Sequence, residues 1–200
     1  DLSGSDFTGA QLDEGFFIHS TLIDTDFSNA RGLGTSFASA EVSGSDFTGS
    51  QFLAANFNDA DLHGTNFTSA KITQSTFFGA DLTEANLTNA QAWTTDFIEA
   101  NLHSADLTGA NLNGALLTRA VLIEGTLINA NLDFATLDYA DLRGADLRGV
   151  SARYATIVQG YLNDADLSGA NLSGVNLDRS TLISANLTGA ILTNVNLEWS

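Results

Sequence analysis

The 200-residue chain has no cysteine, no proline and no methionine. Without cysteine there is no disulfide framework, no thiolate metal site and no thiol nucleophile, and the redox compartment goes unmarked. Without proline every backbone N–H can donate to a ladder, which suits a chain whose backbone is almost entirely paired. Cations are scarce: seven Lys and Arg stand against 24 Asp and Glu, for a net charge of −17. That balance keeps an elongated particle soluble, opposes direct binding to nucleic acid or anionic lipid, and favours basic partners. No apolar run is long enough to span a bilayer, and no leader sequence is visible; the expectation is a cytoplasmic protein.

What the chain has is a five-residue period without a single insertion. Counting in fives from Leu2 through Phe7, Leu12 and Phe17 to Leu197, every position is Leu, Phe, Ile or Val except Gly32, Ala92 and Ala152. Two residues before each stands a small side chain, most often Ala. An unbroken short period identifies a solenoid whose units pack only on their neighbours, and it predicts one repeat domain over residues 1–200.

Five is neither a helical nor a strand period, so each unit must combine a short extended edge with a bend. The small and the large apolar residue are two apart and share the inner side of an extended edge, and the residue between them, mostly Asp or Asn, points to solvent. The other two positions, rich in Ser, Thr, Gly, Asn and Asp, form the corner. Phe recurs every ten residues from Phe7 to Phe77 and again at Phe97. A triangular coil of 15 residues would place Phe over Leu, whereas a square coil of 20 stacks Phe on Phe. The square predicts ten coils and a rod about 48 Å long, at ~4.8 Å per coil. Its core is Phe-rich over about 1–100 and Leu-rich over about 101–200.

Segments such as Ala105-Asp106-Leu107-Thr108-Gly109, Ala165-Asp166-Leu167-Ser168-Gly169 and Ala185-Asn186-Leu187-Thr188-Gly189 resemble the A(D/N)LXX signature of the pentapeptide repeat family, and the resemblance covers the whole chain. It implies an all-β, right-handed quadrilateral parallel β-helix; the handedness comes from the resemblance alone. It also implies function, since some members of the family imitate DNA, bind type II topoisomerases and counter quinolone-type poisons.

No constellation suggests catalysis, a cofactor or a metal. His63 and His103 share a column two coils apart, about 10 Å, too far to share a metal held at about 2 Å from each nitrogen. Carboxylates such as Asp13, Glu14, Asp133 and Asp138 read as polar edges and corners, because an uninterrupted rod offers no cleft in which to shift a pKa. Sequons such as that at Asn86 are manufactured by the repeat itself. Arg143, Arg148 and Arg153 form a belt around successive corners, expected to pair with nearby carboxylates including Asp141, Asp146 and Asp166.

Two surfaces remain as candidates. The first is the acidic column of Asp6, Asp26, Asp46, Asp106, Asp146 and Asp166, completed by Asn66, Asn86, Thr126 and Asn186. The second is an apolar patch of Phe78, Trp93 and Ile98, where contiguous exposed apolar groups suggest an interface. The expected function is a non-enzymatic acidic rod that presents one of these surfaces to a protein partner, basic or DNA-binding, as a scaffold or interaction module. The alternative is a DNA mimic that binds DNA gyrase or another type II topoisomerase, the charge being spaced at about one per 3 Å against one per ~1.7 Å in duplex DNA. Bare terminal coils should expose Leu2, Phe7, Leu192 and Leu197, an arrangement open to end-to-end or dimeric self-association.

Overall fold

Each five-residue unit repeats one backbone conformation, set by where its five N–H groups find acceptors. In the computed structural model, which describes residues 1–200, the unit Asp6-Phe7-Thr8-Gly9-Ala10 is typical. The Phe7 N–H reaches Asp26 O (2.7 Å) and the Gly9 N–H reaches Ser28 O (2.9 Å), both on the next coil. The Ala10 N–H turns back to Phe7 O (2.9 Å), closing the corner, while the corresponding edge residue, Asp26, donates backward to Ser5 O (3.0 Å). Three donors of five are thus paired between coils and a fourth within the corner, as buried backbone requires.

The corner demands a positive φ at its second residue, the mark of a type II turn. All forty corners have it, from +50° at Ala54 to +72° at Gly189. Glycine meets the demand without strain. Most corners are not glycine, however, and even Phe134, Tyr139 and Tyr154 are held there. The surrounding ladder overrides a local preference of about 1–2 kcal/mol per residue.

Parallel bridges join each edge to the residue twenty positions on, as in Asp6 to Asp26 and Phe16 to Ser36. The coil is therefore square, and the rod is a right-handed quadrilateral parallel β-helix. Its four faces are numbered here by the first coil's central residues: Leu2 on the first face, Phe7 on the second, Leu12 on the third and Phe17 on the fourth. One apolar cluster of 53 buried residues runs through the middle.

Within it the phenylalanines stack as the ten-residue recurrence predicts. Phe7, Phe27, Phe47 and Phe67 form one column, with ring centroids 5.1, 4.8 and 4.7 Å apart. Phe17, Phe37, Phe57, Phe77 and Phe97 form the opposite one, at 5.0, 4.8, 4.7 and 4.9 Å. The two columns meet edge to face, for example Phe27 with Phe37 at 5.4 Å and 86°.

Inward hydroxyls in this half have partners that sequence spacing alone does not disclose. Thr35 Oγ1 donates to Leu12 O (2.8 Å), Ser45 Oγ to Leu22 O (2.6 Å) and Thr95 Oγ1 to Ile72 O (2.9 Å), each 23 residues back. A buried hydroxyl with an acceptor escapes most of its desolvation cost. At the ends Leu2, Leu192 and Leu197 are partly exposed as expected, while Phe7 packs against the core.

Candidate interaction surfaces

The fifth N–H of each unit, on the first corner residue, explains the Asp and Asn of the edges. On the second face Asp6 Oδ1 accepts from Thr8 N (2.8 Å), Asp26 from Ser28 N (2.8 Å), Asp46 from Thr48 N (2.8 Å) and Asp106 from Thr108 N (2.9 Å). Asp146 and Asp166 do the same for Arg148 N (3.2 Å) and Ser168 N (2.9 Å). Asn66, Asn86 and Asn186 make the identical bond, so amide and carboxylate are interchangeable for this purpose. These are Asx turns, and their first role is local.

Where the edge residue cannot act, a carboxyl or amide one coil back supplies the acceptor. Asp13 receives Leu33 N beside Arg31, Asn58 receives Phe78 N beside Thr76, and Asp138 receives Val158 N beside Thr156.

The bridges place all ten residues of the acidic column in register on the second face. The hydroxyl and N–H of Thr8 hold the Asp6 carboxyl below the usual carboxylate range, Ser28 does so for Asp26, and the N–H and hydroxyl of Ser168 do so for Asp166. Asp146 is lowered chiefly by Arg148, whose guanidinium lies 2.7 Å away. The charge of the column is therefore interrupted four times by Asn or Thr and once by an ion pair.

The arginine belt pairs locally, with one partner different from expectation. Arg143 pairs with Asp141 (2.6 Å) and Arg148 with Asp146, while Arg153 reaches Asp133 on the coil before, a carboxylate outside the expected three, and Asp166 takes no ion pair. The twenty-residue stacking brings 133 under 153, so the carboxylate is enclosed: Asp133 is 3% exposed and also accepts from Ser151 Oγ (2.7 Å) and Arg153 N (2.8 Å). Burial alone would raise its pKa; the hydrogen bonds and charge of Arg153 and Ser151 outweigh that and leave it lowered.

The apolar patch falls on the fourth face. Phe78 and Ile98 stand on consecutive coils of the corner leaving that face, their backbones joined by Gly79 N to Ile98 O (3.1 Å). Trp93 stands on the corner entering it, and no aromatic ring contacts it. The three residues thus flank one face from both sides without forming a single cluster. Counting by phase extends the set. Of eighteen exposed large apolar residues, twelve lie on the fourth face or its two corners, among them Phe16, Leu53, Leu116, Phe134 and Tyr154. Only Ile23 and Ile183 border the opposite, second face. Leu116, Phe134 and Tyr139 are additions to the sequence reading, and the same count in fives would have placed them. Phe134 stacks on Tyr154 (5.5 Å, 16°), and Arg119 lies over Tyr139 (5.9 Å).

The profile of the family described as pentapeptide repeats matches the chain in eight copies, over residues 1–31, 35–74, 75–114, 115–151 and 161–198. The chain belongs to the pentapeptide repeat family. Among solved pentapeptide repeat structures it is similar to HetL, involved in heterocyst differentiation regulation, from the cyanobacterium Nostoc sp. strain PCC 7120. The identity is 25%, coverage is 98% of this chain and 88% of that one, and the TM-score is 0.96. A pentapeptide repeat protein of the Arabidopsis thaliana thylakoid lumen is 34% identical over 54% of this chain and 68% of its own, with a TM-score of 0.37. QnrB1, a plasmid-mediated fluoroquinolone resistance protein, is 19% identical over 94% of this chain and 89% of its own, with a TM-score of 0.34. No curated protein sequence matches the chain.

Proposed function

We propose that this pentapeptide repeat protein is a rigid, non-enzymatic interaction module that presents its fourth face to a protein partner. The observation that carries this reading is the asymmetry of the rod: exposed apolar groups gather on the fourth face and its corners, while Ile23 and Ile183 are the exposed large apolar residues bordering the opposite one. Apolar patches of this kind on an otherwise charged surface mark contact sites. Phe78, Trp93 and Ile98 belong to that surface, with Leu116 and Tyr154 continuing it. The rod's resemblance over its whole length to HetL, a protein of differentiation regulation, supports a regulatory use in which shape is presented to another protein.

A photo-crosslinking residue at Leu116 and another at Thr108 test the reading in extracts of the source cells. Adducts from Leu116 that disappear with Trp93→Ala support it, and labelling from Thr108 alone refutes it.

The second reading, a mimic of DNA that engages gyrase or another type II topoisomerase, draws on the in-register acidic column and the net charge of −17. It requires inhibition of gyrase supercoiling, or protection from a poison, that weakens with salt and with Asp→Asn changes at Asp6, Asp26 and Asp46. Since Asn makes the same local bond as Asp, those changes remove charge while keeping the fold.

A further inference from the structure

The edge column of the third face departs from every other in its first five coils. In place of Asp and Asn it carries Gln11, Arg31, Gln51, Lys71 and Gln91, bridged in register. Arg31 and Lys71 are the two cations among the first hundred residues, against fourteen carboxylates in that stretch. They are also the two cations of the chain outside any ion pair; Arg119, Arg143, Arg148, Arg153 and Arg179 each have a carboxylate partner. Both are exposed.

The column is the floor of a groove. Beside it the corner residues Leu33, Leu53 and Trp93 form an apolar wall, with Thr73 buried between Leu53 and Trp93 and with Asp13 at its end, where the carboxylate accepts from Leu33 N. Two depressions of about 270 and 410 Å³ lie against this wall and meet at Leu53. The backbone yields locally beneath Trp93: the Gln74 N–H to Trp93 O bond stretches to 3.4 Å, and the Thr95 N–H to Ala92 O bond to 3.3 Å.

We infer that this groove binds an acidic peptide segment in polyproline II conformation, a site that borders the fourth-face contact along Leu53 and Trp93 but is defined by Arg31 and Lys71 of the third face, which that contact does not use. The free cations are the sites of positive potential in a half whose net charge is −12, so an anionic partner finds them only here. Spacing selects the conformation. Arg31 and Lys71 are two coils apart, about 9.6 Å at ~4.8 Å per coil. Polyproline II repeats every three residues at ~3.1 Å rise, so carboxylates at i and i+3 share one side about 9.3 Å apart. A β-strand offers about 6.6 or 13 Å on one side, matching neither. Polyproline II ligands also seek grooves with an aromatic wall, the role open to Trp93. The net charge of the rod opposes a densely charged polyanion such as nucleic acid, whereas a few carboxylates can be satisfied by the two cations and the intervening Gln51 amide.

The test is fluorescence anisotropy with a labelled synthetic peptide of consecutive Glu-Pro-Leu triplets, with its Gln-Pro-Leu counterpart as control. The expected result is saturable, salt-sensitive binding of the acidic peptide that falls about tenfold or more in Arg31→Gln/Lys71→Gln, each lost charge-assisted contact weakening the complex. Arg143→Gln, on a paired and distant arginine, should leave it unchanged. Equal binding of both peptides, insensitivity to the double substitution, or no binding up to about 1 mM would overturn the inference. So would self-association of the rod that the double substitution abolishes while the peptide stays unbound, since the Asp ladder of a second copy would then be the occupant. Circular dichroism of the double variant separates loss of binding from loss of fold.

Discussion

The two halves of the rod share one backbone and differ in nearly everything laid upon it. Residues 1–100 fill the core with ten stacked or wedged phenylalanines, while residues 101–200 fill the same positions with Leu, apart from Ile157 and Ala152. The first half carries two cations, both free; the second carries five, all paired. Inward Ser and Thr are frequent in the first half and give way largely to Ala in the second. Because each coil contacts only its neighbours, such regional differences can accumulate without breaking the fold. The ladder and the corner fix the shape, and the core and surface are free to specialise by region.

The sharpest way to break the difference is to remove one ring from the aromatic half. Phe57 is fully buried, stacked between Phe37 and Phe77. Phe57→Ala should destabilise the protein by about 4 kcal/mol, and Leu137→Ala in the aliphatic half by about 3 kcal/mol, the larger cavity costing more. Chemical denaturation of both variants measures the gap; equal losses would mean that the aromatic half closes over its larger cavity more completely than the aliphatic half does.

A second break targets the paired cations. Asp133→Ala leaves Arg153 without its partner and should cost about 3 kcal/mol, near the lower end for a broken buried pair because the guanidinium is half exposed. The lowered pKa of Asp133 gives this interaction a pH signature. A depressed carboxyl stabilises the fold above its unfolded value near ~4 and loses that contribution as pH falls through the folded value. The wild type should therefore lose stability on acidification in a step that Asp133→Ala reduces, visible in denaturant midpoints measured across that window.

Much of this was legible in the chain before any coordinates. The period fixed the solenoid, and the recurrence of Phe fixed the square, because stacking like on like leaves a mark at twice the unit length. The acceptors of the inward hydroxyls were hidden, since Ser45 and Leu22 meet only after a full coil plus a corner. The carboxylates expected around the arginine belt were Asp141, Asp146 and Asp166, and Asp133 read as a polar corner, yet Arg153 pairs with it. Asp133 won because stacking by twenty places its carboxylate directly beneath. The departure at Gln11, Arg31 and Gln51 was in plain view and carried no signal until free and paired cations could be distinguished.

Gly32 sharpens the link between sequence and packing at an intermediate scale. It stands where every other coil but two has a large apolar residue, and the Phe52 ring of the next coil fills the space. A Cβ there would lie 2.1 Å from Thr35 Oγ1 and 2.5 Å from Phe52 Cε1. Gly32→Ala should destabilise by about 2 kcal/mol through overpacking, although alanine suits the backbone. Adding Phe52→Leu should recover part of the loss, so a double-mutant cycle should show favourable coupling. Additive effects would mean that the vacancy and the ring are unrelated.

The smallest expected effect decides what the acidic column is for. Asp46 Oδ1 accepts from both the N–H and the hydroxyl of Thr48, and the Asn66 amide donates to that hydroxyl (2.9 Å). Asp46→Asn preserves the acceptor and should change stability by less than about 0.5 kcal/mol, whereas Asp46→Ala orphans the corner N–H and should cost about 1 kcal/mol. If Asn proves neutral at Asp6, Asp26 and Asp46 together, the turn does not require a carboxylate there. Any function lost in that triple variant would then belong to the charge itself, which is what a mimic of DNA needs and an apolar contact on the fourth face does not. If Asn costs as much as Ala at these sites, the carboxylate is structural and the column gives no support to mimicry.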